Sequence, residues 1–386
     1  MTTVRGERSG AREGLLAAVA EIEVVLAAVA DRGESDRLAT AEAMSALRDS
    51  GLLAALAPTE VGGLQVDPVT ELEIIEAVSA VDGSTGWLYW ALAGSTARAA
   101  SMMPPSAVRA VFGVGRDFPL IAFQERAFGN RLVPTRSGLR VQGRWPFGTG
   151  AQYADWVLAI GRCATPEYCP WPETPQLAAV VRAGEFEVVD CWDGAGLAAT
   201  GTVDYRVTDL VVPWSRVWPY PVDGPERGGV YFGFRRAAIK HLGFALGVGR
   251  GALRAFVSHV RHRYSGRRPM PDGLVTELAR SRLNLDAARA LGLEAVSGLW
   301  WQASGGGVVD EAAYRRVRAV ARWATEVAFD ICALVARFGD SDLLARQHYS
   351  QRALRDIVAG SAHGEMSVHA LEAFGRDLLA KEEDFR

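Results

Sequence analysis

The hydrophobic periodicity of this 386-residue chain changes twice along its length. Up to about residue 118, apolar residues recur every three or four positions, as the buried face of an amphipathic helix requires. From 119 to about 230, short runs that alternate every second residue lie between Gly, Pro and Asp turns, which is typical of β-strands. From Phe232 the helical period returns and persists. The sequence therefore predicts an α+β chain in three domains with bounds 1–118, 119–230 and 231–386.

The first domain is predicted to be all helical, beginning with a helical stretch over residues 11–57. Thr70, with Glu73 three residues later, can form a capping box for a further helix. Either Asp82 or Ser84 can cap the helix after that, because short oxygen-bearing side chains accept hydrogen bonds from the free N–H groups at a helix start.

The second and third domains differ in the kind of element that they predict. Short alternating strands with turn residues between them predict a compact antiparallel β domain. Helices of about 30 residues with apolar inner faces predict a four-helix bundle for the third domain. The predicted bundle helices are Phe232–Tyr264, 271–302, Asp310–Phe338 and Leu343–Leu379.

Composition limits the classes of partner. The formal net charge is −3, and hydrophobic and charged residues make up 49% and 23%, an ordinary balance that points neither to nucleic acid nor to an acidic membrane surface. No apolar run is long enough for a membrane helix, and the N-terminus leads into no clean signal-peptide core. The four cysteines show no metal-ligand spacing, so no metal site is predicted. Cys163 and Cys169 could pair in an oxidising compartment, but free thiols in a cytoplasmic protein are favoured.

One loop suggests a flat ligand. In the stretch Gly143–Trp156, Trp145 and Phe147 lie beside the hydroxyl of Thr149, which glycines flank on both sides. Aromatic faces, a hydrogen-bonding hydroxyl and closely approachable backbone suit a planar heteroaromatic molecule. Taken alone, however, the stretch is more simply explained as a strand end with a buried aromatic cluster.

Four segments, in the order in which they occur, resemble the acyl-CoA dehydrogenase fold over nearly the whole chain. They are Asp82–Trp87, Gly138–Gly150, Cys191–Thr202, and Ser350–Asp356 followed by His363. The resemblance implies an N-terminal α domain, a central β domain and a C-terminal four-helix bundle.

Two chemistries compete within that fold. Dehydrogenases of the family use a glutamate that follows an Arg-Asp pair, whereas here the pair Arg355-Asp356 is followed by His363 where that carboxylate would fall, with Glu365 close by. The Trp-x-Phe-x-Thr-Gly loop and the Arg-Asp…His spacing are similar to the flavin-dependent two-component monooxygenase branch. That branch includes oxygenase components of hydroxyphenylacetate and phenolic-steroid hydroxylases, and amine or aminosugar N-oxygenases.

The resemblance implies an enzyme that takes reduced flavin, FMNH2 or FADH2, from a separate reductase. With O2 it would hydroxylate a small aromatic, polyketide-like or amine substrate through a C4a-hydroperoxyflavin, inside a pocket that excludes water. The alternative is an FAD-dependent dehydrogenase or desaturase with Glu365 as the base, and a third possibility is a catalytically idle binding protein. The family also implies a homo-oligomer, a dimer or tetramer.

Site residues follow from the same resemblance. Thr149 would hydrogen-bond the N5/O4 edge of the flavin, Trp145 and Phe147 would line its ring, and Arg263 would reach its phosphate.

His363 would be the catalytic acid or base, since a histidine's ordinary pKa of about 6.5 suits proton transfer near neutral pH. Trp87 and Tyr89 would line the substrate pocket. Ala198-Ala199 replace an Arg-Gly pair that many members carry, which could widen that pocket.

Overall fold

The computed structural model describes residues 2–113, 117–124, 130–165, 168–174, 176–221, 224–265, 269–306 and 309–380. The helical N-terminal region is confirmed. Its helices are α1 (Thr2–Asp36), α2 (Ala41–Asp49), α3 (Pro68–Val81), α4 (Gly83–Met102) and α5 (Pro105–Phe112).

The caps of α3 and α4 fix where these two helices begin. Asp67 caps α3, since its Oδ1 accepts from the N–H groups of Val69 and Thr70 at 2.9 and 3.1 Å. The prediction that Thr70 is the cap was wrong, because Pro68 already has the φ angle of a first helical residue and Asp67 supplies the acceptor. Of the two predicted caps of α4, Asp82 and Ser84, Asp82 is the one that forms, and its Oδ2 accepts from the Thr85 N–H at 2.8 Å.

The described residues of the central region form an eight-stranded sheet. Its strands are β1 (Ile121–Phe123), β2 (Arg131–Pro134), β3 (Gly138–Thr149), β4 (Trp156–Cys163), β5 (Gln176–Arg182), β6 (Glu187–Val189), β7 (Thr202–Pro213) and β8 (Val217–Tyr220). The order is β6-β7-β3-β2-β4-β5-β8, with β1 paired to β4.

The prediction of an antiparallel sheet was only partly right, because β1 and β2 both pair with β4 in parallel. Alternation of period two identifies a strand but carries no information on the direction of its neighbour. Cys163 and Cys169 form no disulfide in the part of the chain that the structure describes.

The C-terminal region contains α6 (Ala237–Arg263), α7 (Leu274–Ser304), α8 (Glu311–Phe338), α9 (Tyr349–Ser361) and α10 (His369–Ala380). The predicted fourth helix over Leu343–Leu379 is therefore two helices. Between them, His363 caps a short 3-10 turn with its Nδ1, which accepts from the backbone N–H of Glu365 at 3.3 Å. A side chain that binds its own backbone in this way competes with continuation of the helix.

No helix among the described residues is both long and apolar enough to cross a membrane.

A buried carboxyl group joins three parts of the chain. Oδ1 of Asp356, in α9, accepts from the backbone N–H of Leu197 at 2.6 Å. The same side chain packs against the start of α4, where a Cβ at Gly83 would lie 2.6 Å from Asp356 Oδ2. Burial, and then the nearby Asp82, raise the pKa of Asp356 far above its ordinary value. The site described below is held between these three segments.

This packing predicts that Gly83→Ala destabilises the protein. The added methyl must displace the Asp356 side chain from the start of α4 and from the Leu197 N–H. The free energy of unfolding should therefore fall by about 1–3 kcal/mol. Urea denaturation measures the change. Gly14→Ala in α1 is the matched control, because a Cβ there meets nothing within 4 Å, and it should leave stability equal or slightly higher. Equal effects of the two substitutions would contradict the proposed contact.

Candidate functional site

The end of β3 departs from regular strand geometry. Its register with β7 shifts between Trp145 and Gly148, and Phe147 adopts a φ of +57°, which is strained for a residue with a Cβ. The Phe147 side chain is 55% exposed. Its backbone N–H donates to Asp204 Oδ1 at 3.1 Å, so the bulge is held from β7 and presents an aromatic ring at the surface.

Asp204 is the anchor of this bulge. Burial acts to raise the pKa of Asp204, but hydrogen bonds from Cys191, Arg144 and the Phe147 N–H together hold it below its ordinary value. The carboxylate is thus charged, and charged acceptors make the stronger hydrogen bonds.

Trp145 lies in the core of the sheet. Its ring is fully buried, stacks on Tyr205 with ring centroids 5.5 Å apart, and donates from Nε1 to the Ile160 carbonyl at 2.8 Å. This is the buried aromatic cluster that the sequence left open as the simpler reading of the loop. A direct contact between Trp145 and a flavin ring stays a prediction.

Thr149 is the last residue of β3, and its hydroxyl group belongs to a row of three, from Thr149, Thr202 and Thr200, which we call the hydroxyl row. Thr149 Oγ1 lies 3.0 Å from Thr202 Oγ1, which lies 2.8 Å from Thr200 Oγ1. Thr149 is partly buried and the other two are buried. The next residue, Gly150, has a φ of +77°, and a Cβ there would lie 2.7 Å from Leu92 of α4. The hydroxyl row therefore lies directly beside one face of α4.

A second group of residues lies against α4, and we call it the histidine–tryptophan cluster: Trp87 and Trp90 of α4, His241 and Phe244 of α6, and His363 of the turn after α9. The Trp87 ring centroid lies 4.7 Å from that of Trp90, 5.1 Å from Phe244 and 6.2 Å from His363. The His241 and His363 rings are 4.4 Å apart. His363 lies at the exposed edge of the cluster and His241 at its buried end. The structure thus brings together two residues that the sequence assigned to substrate and catalysis, Trp87 and His363.

The capping bond of His363 defines which ring nitrogen holds the proton. Nδ1 accepts from the Glu365 N–H, so the neutral ring carries its proton on Nε2 and is a hydrogen-bond donor on that side.

His241 was missed by sequence reasoning. It is 1% exposed, and neither ring nitrogen has a hydrogen-bond partner among the described residues. Burial first, then His363 and Lys240, hold the pKa of His241 well below 6.5. The buried Nε1 of Trp90 also lacks a partner in the described chain. Buried polar groups are rarely left unsatisfied, so the cluster is suited to a polar ligand. Its sequence signal was a histidine that follows Lys240 and precedes a mostly apolar stretch of α6.

Two residues that the resemblance assigned to the site, Tyr89 and Arg263, are not members of the histidine–tryptophan cluster. Tyr89 is fully buried on another side of α4, where burial and Glu71 raise its pKa above the ordinary value. Arg263 pairs with Asp340 at 2.5 Å at the far end of α6. At the rise of an α-helix, Arg263 is about 33 Å from His241 along α6. That length exceeds the ribityl phosphate arm of a flavin whose ring lies beside His241 in the same chain.

Glu365 is paired with two arginines, and the alanine pair Ala198-Ala199 is buried. Glu365 binds Arg235 through Oε1 and Arg318 through Oε2, both at 3.0 Å, so two guanidinium groups already engage the carboxylate. Ala198 and Ala199 are buried, and a Cβ at Gly33 of α1 would lie 3.3 Å from that of Ala199. Ala199 thus packs close to α1, and the expectation of a wider pocket at these residues stays a prediction.

Comparisons with known proteins agree with this fold. The acyl-CoA dehydrogenase N-terminal domain model matches residues 15–102, and the C-terminal domain model matches residues 239–368, together more than half of the chain. The structure of XiaF from Streptomyces sp. in complex with FADH2 and glycerol is similar, with a TM-score of 0.85, 24% identity, and coverage of 100% of this chain and 99% of that one. The architecture is therefore that of the acyl-CoA dehydrogenase fold.

Curated relatives are flavin-dependent or related oxygenases. Indole-3-acetate monooxygenase of Pseudomonas putida is 27% identical over 308 residues, 74% of each chain. The oxygenase component of an FADH2-dependent resorcinol hydroxylase of Rhizobium sp. is 27% identical over 265 residues, 64% of this chain and 61% of that protein. The chain belongs to the acyl-CoA dehydrogenase family, and its relatives confirm the resemblance to the monooxygenase branch.

The buried neutral state of His241 predicts a pH effect on stability. Below about pH 6.5 the unfolded chain binds a proton on this residue that the native protein does not. The free energy of unfolding therefore decreases as the pH is lowered. The loss of stability from this single group should therefore develop as the pH is lowered from 7 to 5. His241→Phe should abolish that part of the pH dependence in denaturant titrations, whereas His369→Gln, at an exposed position, should retain it. Parallel pH curves for His241→Phe and the parent protein would contradict this account.

Proposed function

We propose that this protein is the oxygenase component of a two-component flavin-dependent monooxygenase that hydroxylates a small aromatic, polyketide-like or amine substrate. The observation that carries the proposal is the contact of His363 with the buried His241 beside Trp87. It provides a proton-handling group, unpaired polar atoms and aromatic walls in one cluster. The names of the relatives support the same reaction class.

The reaction balances with reduced flavin as the two-electron donor. Substrate, O2 and reduced flavin give hydroxylated substrate, water and oxidised flavin; a separate reductase then regenerates the reduced form. Bound reduced flavin supplies the chemistry that activates O2. The chain's own residues bind the substrate, exclude water and handle protons.

In this proposal the substrate lies against the rings of Trp87 and of the two histidines, which already contact each other. A flat ring packs well against an indole, and a substrate hydroxyl or amine could satisfy the nitrogens of His241. His363, which carries its proton on Nε2 when neutral, would donate to an oxygen at the reacting centre and receive a proton when the product forms.

The contacts between this chain and the flavin are also part of the proposal. Thr149 would contact the N5 edge and the exposed Phe147 would cover part of the ring, with Trp145 supporting the loop from the core. Since Arg263 is far from His241, it could hold a phosphate only for a flavin bound to a neighbouring subunit. A dimer or tetramer, as the resemblance implies, would meet that requirement, and we propose a cytoplasmic location for it.

The dehydrogenase alternative is weaker on this geometry. It needs Glu365 to be free to take a proton from a substrate carbon, yet Arg235 and Arg318 hold the carboxylate, and the Tyr314 hydroxyl lies 3.4 Å from it.

The reaction class can be tested with reduced flavin, a panel of phenols, indoles and amines, and 18O2. We expect one labelled oxygen in the product and none from labelled water. Anaerobic bleaching of bound oxidised FAD by an acyl thioester, without oxygen incorporation, would instead establish the dehydrogenase reaction.

His363→Asn should uncouple the reaction. Loss of a positioned acid–base group lowers the rate of product formation by about 100-fold or more, while O2 consumption continues and yields hydrogen peroxide. Product and peroxide per reduced flavin are the measurements. His369→Asn is the control, because that histidine is exposed in α10 and pairs with Glu372. Normal coupling in His363→Asn would remove the histidine from the mechanism.

Glu365→Gln separates the two chemistries. The variant should keep hydroxylation within about 3-fold of the parent, because the residue binds arginines and serves no proton transfer in the proposed reaction. Loss of all turnover in a variant with parental thermal stability would favour Glu365 as the base.

A further inference from the structure

The hydroxyl row at the end of β3 ends on a carbonyl group. Thr200 Oγ1 donates to the Leu197 carbonyl at 2.9 Å. Counting from that end, the contacts run from Leu197 to Thr200, from Thr200 to Thr202, and from Thr202 to Thr149. Thr149 and Thr202 are directly opposed residues of β3 and β7. The row therefore links the strand pair to the 3-10 turn that precedes β7.

Each hydroxyl group has one proton to donate, and this fixes the direction of the row. A carbonyl oxygen can only accept, so the Thr200 proton is used on Leu197. Thr200 must then accept from Thr202, and Thr202 must accept from Thr149. This is the one arrangement that makes all three contacts hydrogen bonds. The proton of Thr149 points inward, and its oxygen presents only lone pairs on its outer side.

The carbonyl that sets the direction is itself held in place. Leu197 has a φ of +54°, its N–H is bound by Asp356 at 2.6 Å, and its carbonyl also accepts from Trp192 Nε1 at 3.0 Å. A rotation of this peptide would break bonds on both sides, so the end of the row is rigid.

We infer that Thr202 and Thr200 make Thr149 an obligate acceptor, and that this gives the protein a preference for reduced over oxidised flavin. The inference rests on the proposed function, in which the flavin N5 edge lies at Thr149. Reduced flavin carries a proton on N5 and can donate to the threonine oxygen. Oxidised flavin has a bare lone pair on N5, which would face the lone pairs of Thr149 unless the row breaks a hydrogen bond.

Thr202 and Thr200 are thus positioning residues that act through Thr149. The discrimination suits an oxygenase that receives reduced flavin from another protein, because oxidised flavin would compete for the same site. A preference of this kind lets the spent cofactor leave for the reductase.

The test is the affinity of the full-length protein for reduced and oxidised flavin, each measured separately, with reduced flavin titrated anaerobically. The quantity of interest is the ratio of the two dissociation constants. Thr202→Val removes the acceptor for the Thr149 proton at nearly constant volume, so Thr149 can then donate to oxidised N5. The preference for reduced flavin should fall by about 3- to 10-fold, the factor that one ordinary hydrogen bond contributes.

Two further variants identify the cause. Thr202→Ser keeps the hydroxyl and should restore the parental ratio. Thr208→Val, at an exposed position of the same strand, controls for loss of a threonine in β7 and should leave the ratio unchanged.

The outcomes separate the inference from the function on which it rests. A parental ratio in folded Thr202→Val, with a changed ratio in Thr149→Val, would overturn the role of the row while leaving flavin binding at Thr149 in place. The same ratio change in Thr202→Ser as in Thr202→Val would also overturn it, since packing would then be the cause. Absence of binding of either flavin to the parent protein would overturn both the inference and the proposed function.

Discussion

The hydrogen bond between the carboxyl group of Asp356 and the backbone N–H of Leu197 is the contact on which the rest of the site depends. It joins α9, which leads to His363, to the turn that carries Thr200. The same buried carboxyl group packs on the start of α4, which carries Trp87. One buried, hydrogen-bonded carboxyl group therefore positions residues from three separate regions.

Helix α4 contacts both the end of the hydroxyl row and the histidine–tryptophan cluster. Leu92 packs against Gly150 at the end of the hydroxyl row, whereas Trp87 and Trp90 contact the two histidines. The groups that would recognise the cofactor and those that would recognise the substrate are thus arranged around a single rigid helix. A helix keeps such groups at fixed separation better than a loop does.

Periodicity and turn residues predicted the order of helical and strand regions, and the two candidate caps of α4 included Asp82, because these features are local in sequence. The broken final helix and the parallel pairs of β4 were not predictable from period alone. His241 was missed because its significance comes from its contact with His363, from a distant part of the chain, and from the absence of a partner in the described residues. For Trp145 the sequence left a ligand contact and a buried aromatic cluster both open, and only the packing reveals its stacked and hydrogen-bonded position in the sheet.

The structure of the turn between α9 and α10 depends on the protonation state of His363. The Nδ1 atom of His363 accepts the backbone N–H of Glu365, and it can do so only while that nitrogen is unprotonated. A doubly protonated imidazole would therefore release this backbone group to solvent. The proton occupancy of the ring and the local order of residues 364–366 are two aspects of one equilibrium, so the surface turn would report on the chemical state of the histidine within it.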